Sequence, residues 1–113
     1  VAAIGLLLGP PPAPDLLMSE DGRVLGLRDE RGMAVLVNMP FGGPRDGNLF
    51  GKLKDRPLPD FAAEIGAASW AQLLLKYILG HTAVTCVIPG MTRLANLEDN
   101  LGAARGERLG VRR

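Results

Sequence analysis

The sequence predicts an α/β fold in which a β-hairpin precedes a parallel strand–helix–strand–helix unit. Three observations carry this. Residues 33–38 and 83–88 are continuously apolar instead of alternating, as strands covered on both faces are. A helical segment with start and stop signals lies between them, and a second one follows. Earlier in the chain, Asp21-Gly22 divides two apolar runs, a strong hairpin signal because both turn positions favour positive φ.

The elements follow in order. Residues 1–8 form an apolar run, and Gly9-Pro10-Pro11-Pro12-Ala13-Pro14 is a stiff, extended linker with few backbone donors. Residues 16–19 and 23–28 are the arms of the hairpin. A second turn signal at 29–32 leads into the first covered strand, 33–38. Residues 41–48 make a glycine-rich loop, and 49–57 show no convincing period. Asp60 can cap a short helix at 61–65 that Gly66 ends. Ser69-Trp70-Ala71-Gln72 fits a capping box: the serine accepts from the backbone of Gln72, and the glutamine reaches back to Ser69. That helix runs to Ile78 and stops at Gly80, a natural left-handed C-cap residue. The second strand, 83–88, closes at Pro89-Gly90. Thr92 can cap the last helix. There Leu94, Leu97 and Leu101 share one apolar stripe, and Gly106 ends it. Strand, helix and strand of these lengths make a right-handed crossover. The expected organisation is an unassigned part at 1–32, a β-α-β-α segment at 33–106 and a polar tail at 107–113.

Composition narrows the function. Thirteen basic against 12 acidic side chains leave a net charge of +1, which gives no electrostatic reason to expect a nucleic-acid partner. The single cysteine, Cys86, rules out an internal disulfide and a cysteine-paired zinc site, so no metal is expected, and a reducing cytoplasmic location is the simplest reading. The run at 1–8 is far shorter than the roughly 20 residues that span a bilayer, so no membrane partner is expected. A chain that opens on valine reads either as a fragment or as one started on an unusual codon.

The residues that carry chemistry cluster after the second strand. In parallel α/β folds ligands gather at the C-terminal strand ends. A helix starting near Arg93 offers N–H groups and the positive end of its dipole. Thr92 adds a hydroxyl, and Arg93 a planar fork suited to phosphate. Asn96 and Asn100 stand at i and i+4 on one face, with Asp99 beside them. The set suits an adenosine carrying a phosphate, although a plain N-cap with a solvated arginine accounts equally for Thr92 and Arg93. Ordinary roles also account for the others. Cys86 suits core packing, His81 a surface position at a helix end, Trp70 and Tyr77 the core or its rim, and Asp99 its own helix face.

A resemblance breaks this tie. Val35-Leu36-Val37-Asn38-Met39-Pro40-Phe41-Gly42, Leu58-Pro59-Asp60-Phe61-Ala62-Ala63-Glu64-Ile65-Gly66, Ser69-Trp70-Ala71-Gln72, Ala83-Val84-Thr85-Cys86-Val87-Ile88-Pro89-Gly90 and Asp99-Asn100-Leu101-Gly102 closely resemble the C-terminal third of aldo/keto reductases. The match runs over residues 33–105. It implies a partial (β/α) barrel and an NADPH-dependent carbonyl reductase. It further implies that Gly90, Met91, Thr92 and Arg93 clamp the adenosine 2′-phosphate, that Asn96 makes a polar contact, and that Asp99 and Asn100 contact adenine. The backbone of Met39, Pro40 and Phe41 would lie along the pyrophosphate. Met91 stands where the family usually has a small or hydroxylated residue, and Leu94-Ala95 replaces a common proline and acid.

The family's catalytic aspartate, tyrosine, lysine and histidine sit on earlier strands, and none is carried over. Tyr77 lies within a helix, and His81 follows it on the side away from the expected cofactor end. A full barrel takes about 250 residues. The expectation is therefore a fragment of an NADP-dependent oxidoreductase that keeps part of the cofactor site, is inactive alone, and self-associates through open sheet edges. One alternative is a non-catalytic α/β module or chimeric product with no independent function. Another comes from residues 12–29, which look like the segment after the membrane region of competence-type DNA-uptake channels. On that reading the chain joins two unrelated pieces near residues 31–33.

Overall fold

The computed structural model describes residues 15–43 and 45–106; the apolar run at 1–8, the proline-rich linker and the tail at 107–113 lie outside them. The elements are β1 (Leu16–Met18), β2 (Val24–Asp29), β3 (Gly32–Asn38), α1 (Leu49–Leu53), α2 (Phe61–Glu64), α3 (Trp70–Leu79), β4 (Cys86–Ile88) and α4 (Leu94–Gly102).

The four strands form one mixed sheet in the order β1-β2-β3-β4. The hairpin pairs Leu16 with Leu27 and Met18 with Leu25. At its turn Gly22 alone takes positive φ, 69°, while Ser19 Oγ accepts from the N–H groups of Arg23 and Val24. Asp21, the other position expected to favour positive φ, does not take it. β2 continues antiparallel into β3, from Val24 opposite Val37 to Asp29 opposite Gly32. β3 and β4 are parallel neighbours, as the sequence predicts, with Asn38 beside Ile88 at their shared C-terminal end.

The expectation that both strands are covered on both faces is not met. No sheet residue is fully buried. Side chains alternate across a strand, so the pairing puts Leu17, Val24, Met33, Val35 and Val37 on one face and Leu16, Met18, Leu25, Leu27 and Leu36 on the other. Both faces are apolar, yet among the described residues the main helix packing is of α3 on α4, with α3 also packed against β4. β4 is also shorter than residues 83–88. Its pairing is prolonged by one residue, because Thr85 N–H donates to the Val35 carbonyl (2.8 Å) and Val35 N–H to Thr85 Oγ1 (3.0 Å).

The core lies in the helical half. Ala62, Ala67 and Leu73 are buried, with Leu58, Ile65 and Trp70 packed around them. α2 ends in a complete Schellman motif: Ala67 N–H donates to Ala62, Gly66 N–H to Ala63, and Gly66 takes φ 68°. Asp60 holds the N-cap position of this helix without capping it through its side chain. Lys76 is fully buried, and its ammonium donates to the carbonyl of Arg105.

Four further details depart from expectation. α1 forms where no period was visible, started by Asn48, whose side chain accepts from Gly51 N–H (2.8 Å). Gly80 caps α3 in the right-handed region, at φ −70°. Arg93, not Thr92, occupies the N-cap position of α4, and its side chain makes no capping hydrogen bond. The stripe of Leu94, Leu97 and Leu101 faces outward, with Leu94 69% exposed, because nothing among the described residues packs on that side. No helix among the described residues is long and apolar enough to cross a membrane.

Candidate nucleotide cleft

Parallel pairing brings the C-terminal ends of β3 and β4 together, and the chain turns away from both at one place. After β3, Met39 takes φ 51°, the one positive φ of a non-glycine residue among those described, and its N–H donates to the Ile88 carbonyl (3.3 Å). Such a conformation costs about 1–3 kcal/mol and persists only where the surroundings hold it. After β4, Pro89-Gly90 leads towards α4.

A cleft of about 320 Å³ opens beside this point. One wall is the start of α3, with Ser69, Trp70 and Ala71. The opposite wall is α4, with Asn96, Asp99 and Asn100. Gly90, Phe41 and Phe50 complete the lining. The two phenylalanines meet edge to face, with ring centroids 5.0 Å apart. Trp70 is held by its indole N–H, which donates to the Arg56 carbonyl (2.9 Å).

The walls are tied together by hydrogen bonds. Asp99 accepts from Ser69 Oγ on one carboxylate oxygen and from Gln72 Nε2 on the other, both at 2.8 Å. Ser69 also caps α3, accepting from Gln72 N–H at 3.1 Å. The second half of the expected capping box is absent: Gln72 Oε1 accepts from Ala68 N–H instead of Ser69 N–H, and the rest of its amide reaches across to α4.

The loop at 41–48 is shaped from the hairpin side. Asp46 accepts from Gly43 N–H and pairs with Arg23, which also pairs with Asp21. The Gly43 N–H and the nearby guanidinium hold the Asp46 carboxyl below its usual range, against a smaller opposing effect of burial. Asp21 is lowered too, first by the Ser19 hydroxyl and then by the Arg23 N–H.

Of the residues singled out from the sequence, the cleft gathers Gly90, Asn96, Asp99 and Asn100. Met91, Thr92 and Arg93 are exposed in the connection to α4 and do not line it. Phe50, Ser69, Trp70 and Ala71 were not anticipated as lining residues. The capping signal located Ser69, but nothing local to the sequence pairs Phe50 with Phe41. Among the described residues no cluster of His, Cys, Asp or Glu could hold a metal ion.

The family model for the aldo/keto reductase family matches residues 46–109. The chain belongs to the aldo/keto reductase family. The matched segment starts inside the loop after β3, so the hairpin and β3 lie outside it. No curated protein and no solved structure matches the chain at a significant level. Within this aldo/keto reductase segment stand both walls of the cleft, Gly90 and Phe50; Phe41 alone comes from outside it.

Proposed function

We propose that this chain forms the adenosine end of an NADP(H) site and does not reduce a carbonyl by itself. The observation that carries the reading is the cleft at the ends of β3 and β4, lined by aromatic side chains and by neutral amides on α4. Its chemistry suits a flat, uncharged base. Trp70, Phe41 and Phe50 offer ring surfaces, while Asn96 and Asn100 offer donors and acceptors one helical turn apart. Gly90 adds a space criterion. A Cβ at this position would have no heavy atom within 4 Å, so the wall there is open to close approach by a ligand. The phosphate is assigned outside the base pocket, to the start of α4, where the N-cap side chain makes no capping bond and Thr92 and Arg93 are exposed.

When bound, the cofactor supplies the hydride for carbonyl reduction. The residues of this chain bind and orient its far end. Tyr77 stands towards the C-terminal end of α3, about 12 Å along the helix from the Ser69 end that borders the cleft, and His81 lies just beyond that far end.

Titration with 2′-phospho-AMP and with AMP tests the proposal, read by the emission of Trp70, the chain's single tryptophan. Two or three charge-assisted hydrogen bonds at about 1.5–3 kcal/mol each, less the cost of association, give a Kd on the order of millimolar. The 2′-phosphate is expected to improve affinity over AMP, and Arg93→Ala to abolish that preference. Equal, featureless responses to both ligands would count against the reading. NADPH oxidation with reactive aldehydes is expected to stay at background.

A further inference from the structure

We infer that Gln72 is the positioning residue of the cleft: with Ser69 and Asp99 it forms a bridge that sets the spacing between the α3 and α4 walls. The inference rests on the cleft being the nucleotide site, and it assigns Gln72 no contact with the ligand.

Four observations converge. Ser69 and Gln72 flank Trp70 and Ala71 on one wall, while Asp99 stands beside Asn100 and one turn from Asn96 on the other. Gln72 is 8% exposed, and both ends of its amide are committed, Oε1 to Ala68 N–H and Nε2 to Asp99. The amide cannot flip, because flipping would set its NH₂ against the Ala68 N–H and its oxygen against the carboxylate. Finally, a Cβ at Gly102 would lie 2.4 Å from Gln72 Nε2, so the glycine leaves room for the amide beneath α4. Helix capping needs only Ser69 Oγ and Gln72 N–H; the crossing side chain is additional to it.

The test is a double-mutant cycle in the full chain, with Kd for 2′-phospho-AMP and melting temperature measured for each member. Gln72→Glu sets a carboxylate against Asp99 and is expected to weaken binding about tenfold or more at neutral pH. In an Asp99→Asn background the same substitution restores a donor–acceptor pair with the roles exchanged. There Gln72→Glu is expected to leave affinity unchanged or improve it. That reversal of sign is the signature of a bridge; a general loss of stability does not produce it. Equal loss in both backgrounds, or loss in neither, overturns the inference. If Gln72→Glu does not fold, Gln72→Met removes the hydrogen bonds without adding charge. Folded and at least about threefold weaker, it supports the bridge; at full affinity, it overturns it. If the unaltered chain does not bind 2′-phospho-AMP, the nucleotide reading itself fails. The bridge is then judged from the ligand-free side-chain amide resonances of Asn96 and Asn100. They should move in Gln72→Glu and return in the double variant, and resonances that stay put in every variant overturn it.

Discussion

Gly102 marks a close approach of α4 to α3. Alanine is the better helix former by about 1 kcal/mol, so Gly102→Ala at a free helix position stabilises. Here the new Cβ meets the Gln72 amide, which cannot swing aside without giving up its bonds to Asp99 and Ala68. With about 1 kcal/mol for each lost bond, set against the gain in helix propensity, the expected outcome is a net loss of about 1 kcal/mol in urea unfolding; a gain would show that the amide is free to move. Asp46 makes a second prediction at this scale. Its carboxyl is held below the ordinary 3.8 chiefly by the Gly43 N–H and, after that, by Arg23. Because the folded value is the lower one, its contribution is complete above the ordinary carboxylate range and is lost as pH falls through the lowered value. Carboxyl NMR should show Asp46 titrating below the ordinary 3.8, and Asp46→Asn should remove that part of the acid limb of stability.

At the scale of elements, what was legible depended on whether the signal was local. The Asp21-Gly22 turn, the Ser69 cap and Gly66 all read correctly, because each organises atoms within a few residues of itself. The parallel pairing of β3 and β4 was legible from apolar runs and the helix between them. Burial was not: a run such as Met33-Ala34-Val35-Leu36-Val37 shows that a strand can be covered, not that anything covers it. The same holds for Leu94, Leu97 and Leu101. Among the cleft's lining residues, Gly90, Asn96, Asp99 and Asn100 are singled out by their place on a strand end and a helix face together with the family resemblance. Phe50 and the crossing of Gln72 are not, since both depend on contacts between distant segments. The short β4 has its own prediction. Thr85 continues the pairing beyond the strand by accepting from Val35 N–H through its side chain. Thr85→Val keeps the shape and removes the acceptor. It should cost about 1 kcal/mol, read as a lower melting temperature and as faster exchange of the Val35 amide.

For the whole molecule, the decisive feature is the mismatch between where the apolar surface is and where the packing is. Burial concentrates in α2 and α3, with Ala67 and Ala103 beside them, while the sheet presents apolar residues on both faces. Leu16 is 57% exposed, Met18 68% and Leu27 47%, and pairing places all three on one face. An antiparallel sheet that meets water normally shows it a polar face. Apolar surface of this kind, next to a short edge strand such as β1, favours association with another chain. The expected behaviour is concentration-dependent self-association, visible in sedimentation velocity as a weight-average mass that rises with loading. Leu27→Lys puts a charge at the centre of the exposed face. At an exposed position it should change the folding free energy by no more than about 0.5 kcal/mol while reducing association. Leu101→Lys makes the equivalent change on the outward stripe of α4, and comparison of the two identifies which surface is used. If the sheet face drives association, Leu27→Lys lowers the high-concentration mass and Leu101→Lys does not. A chain that sediments as a monomer at every loading would show that these faces do not bring copies together.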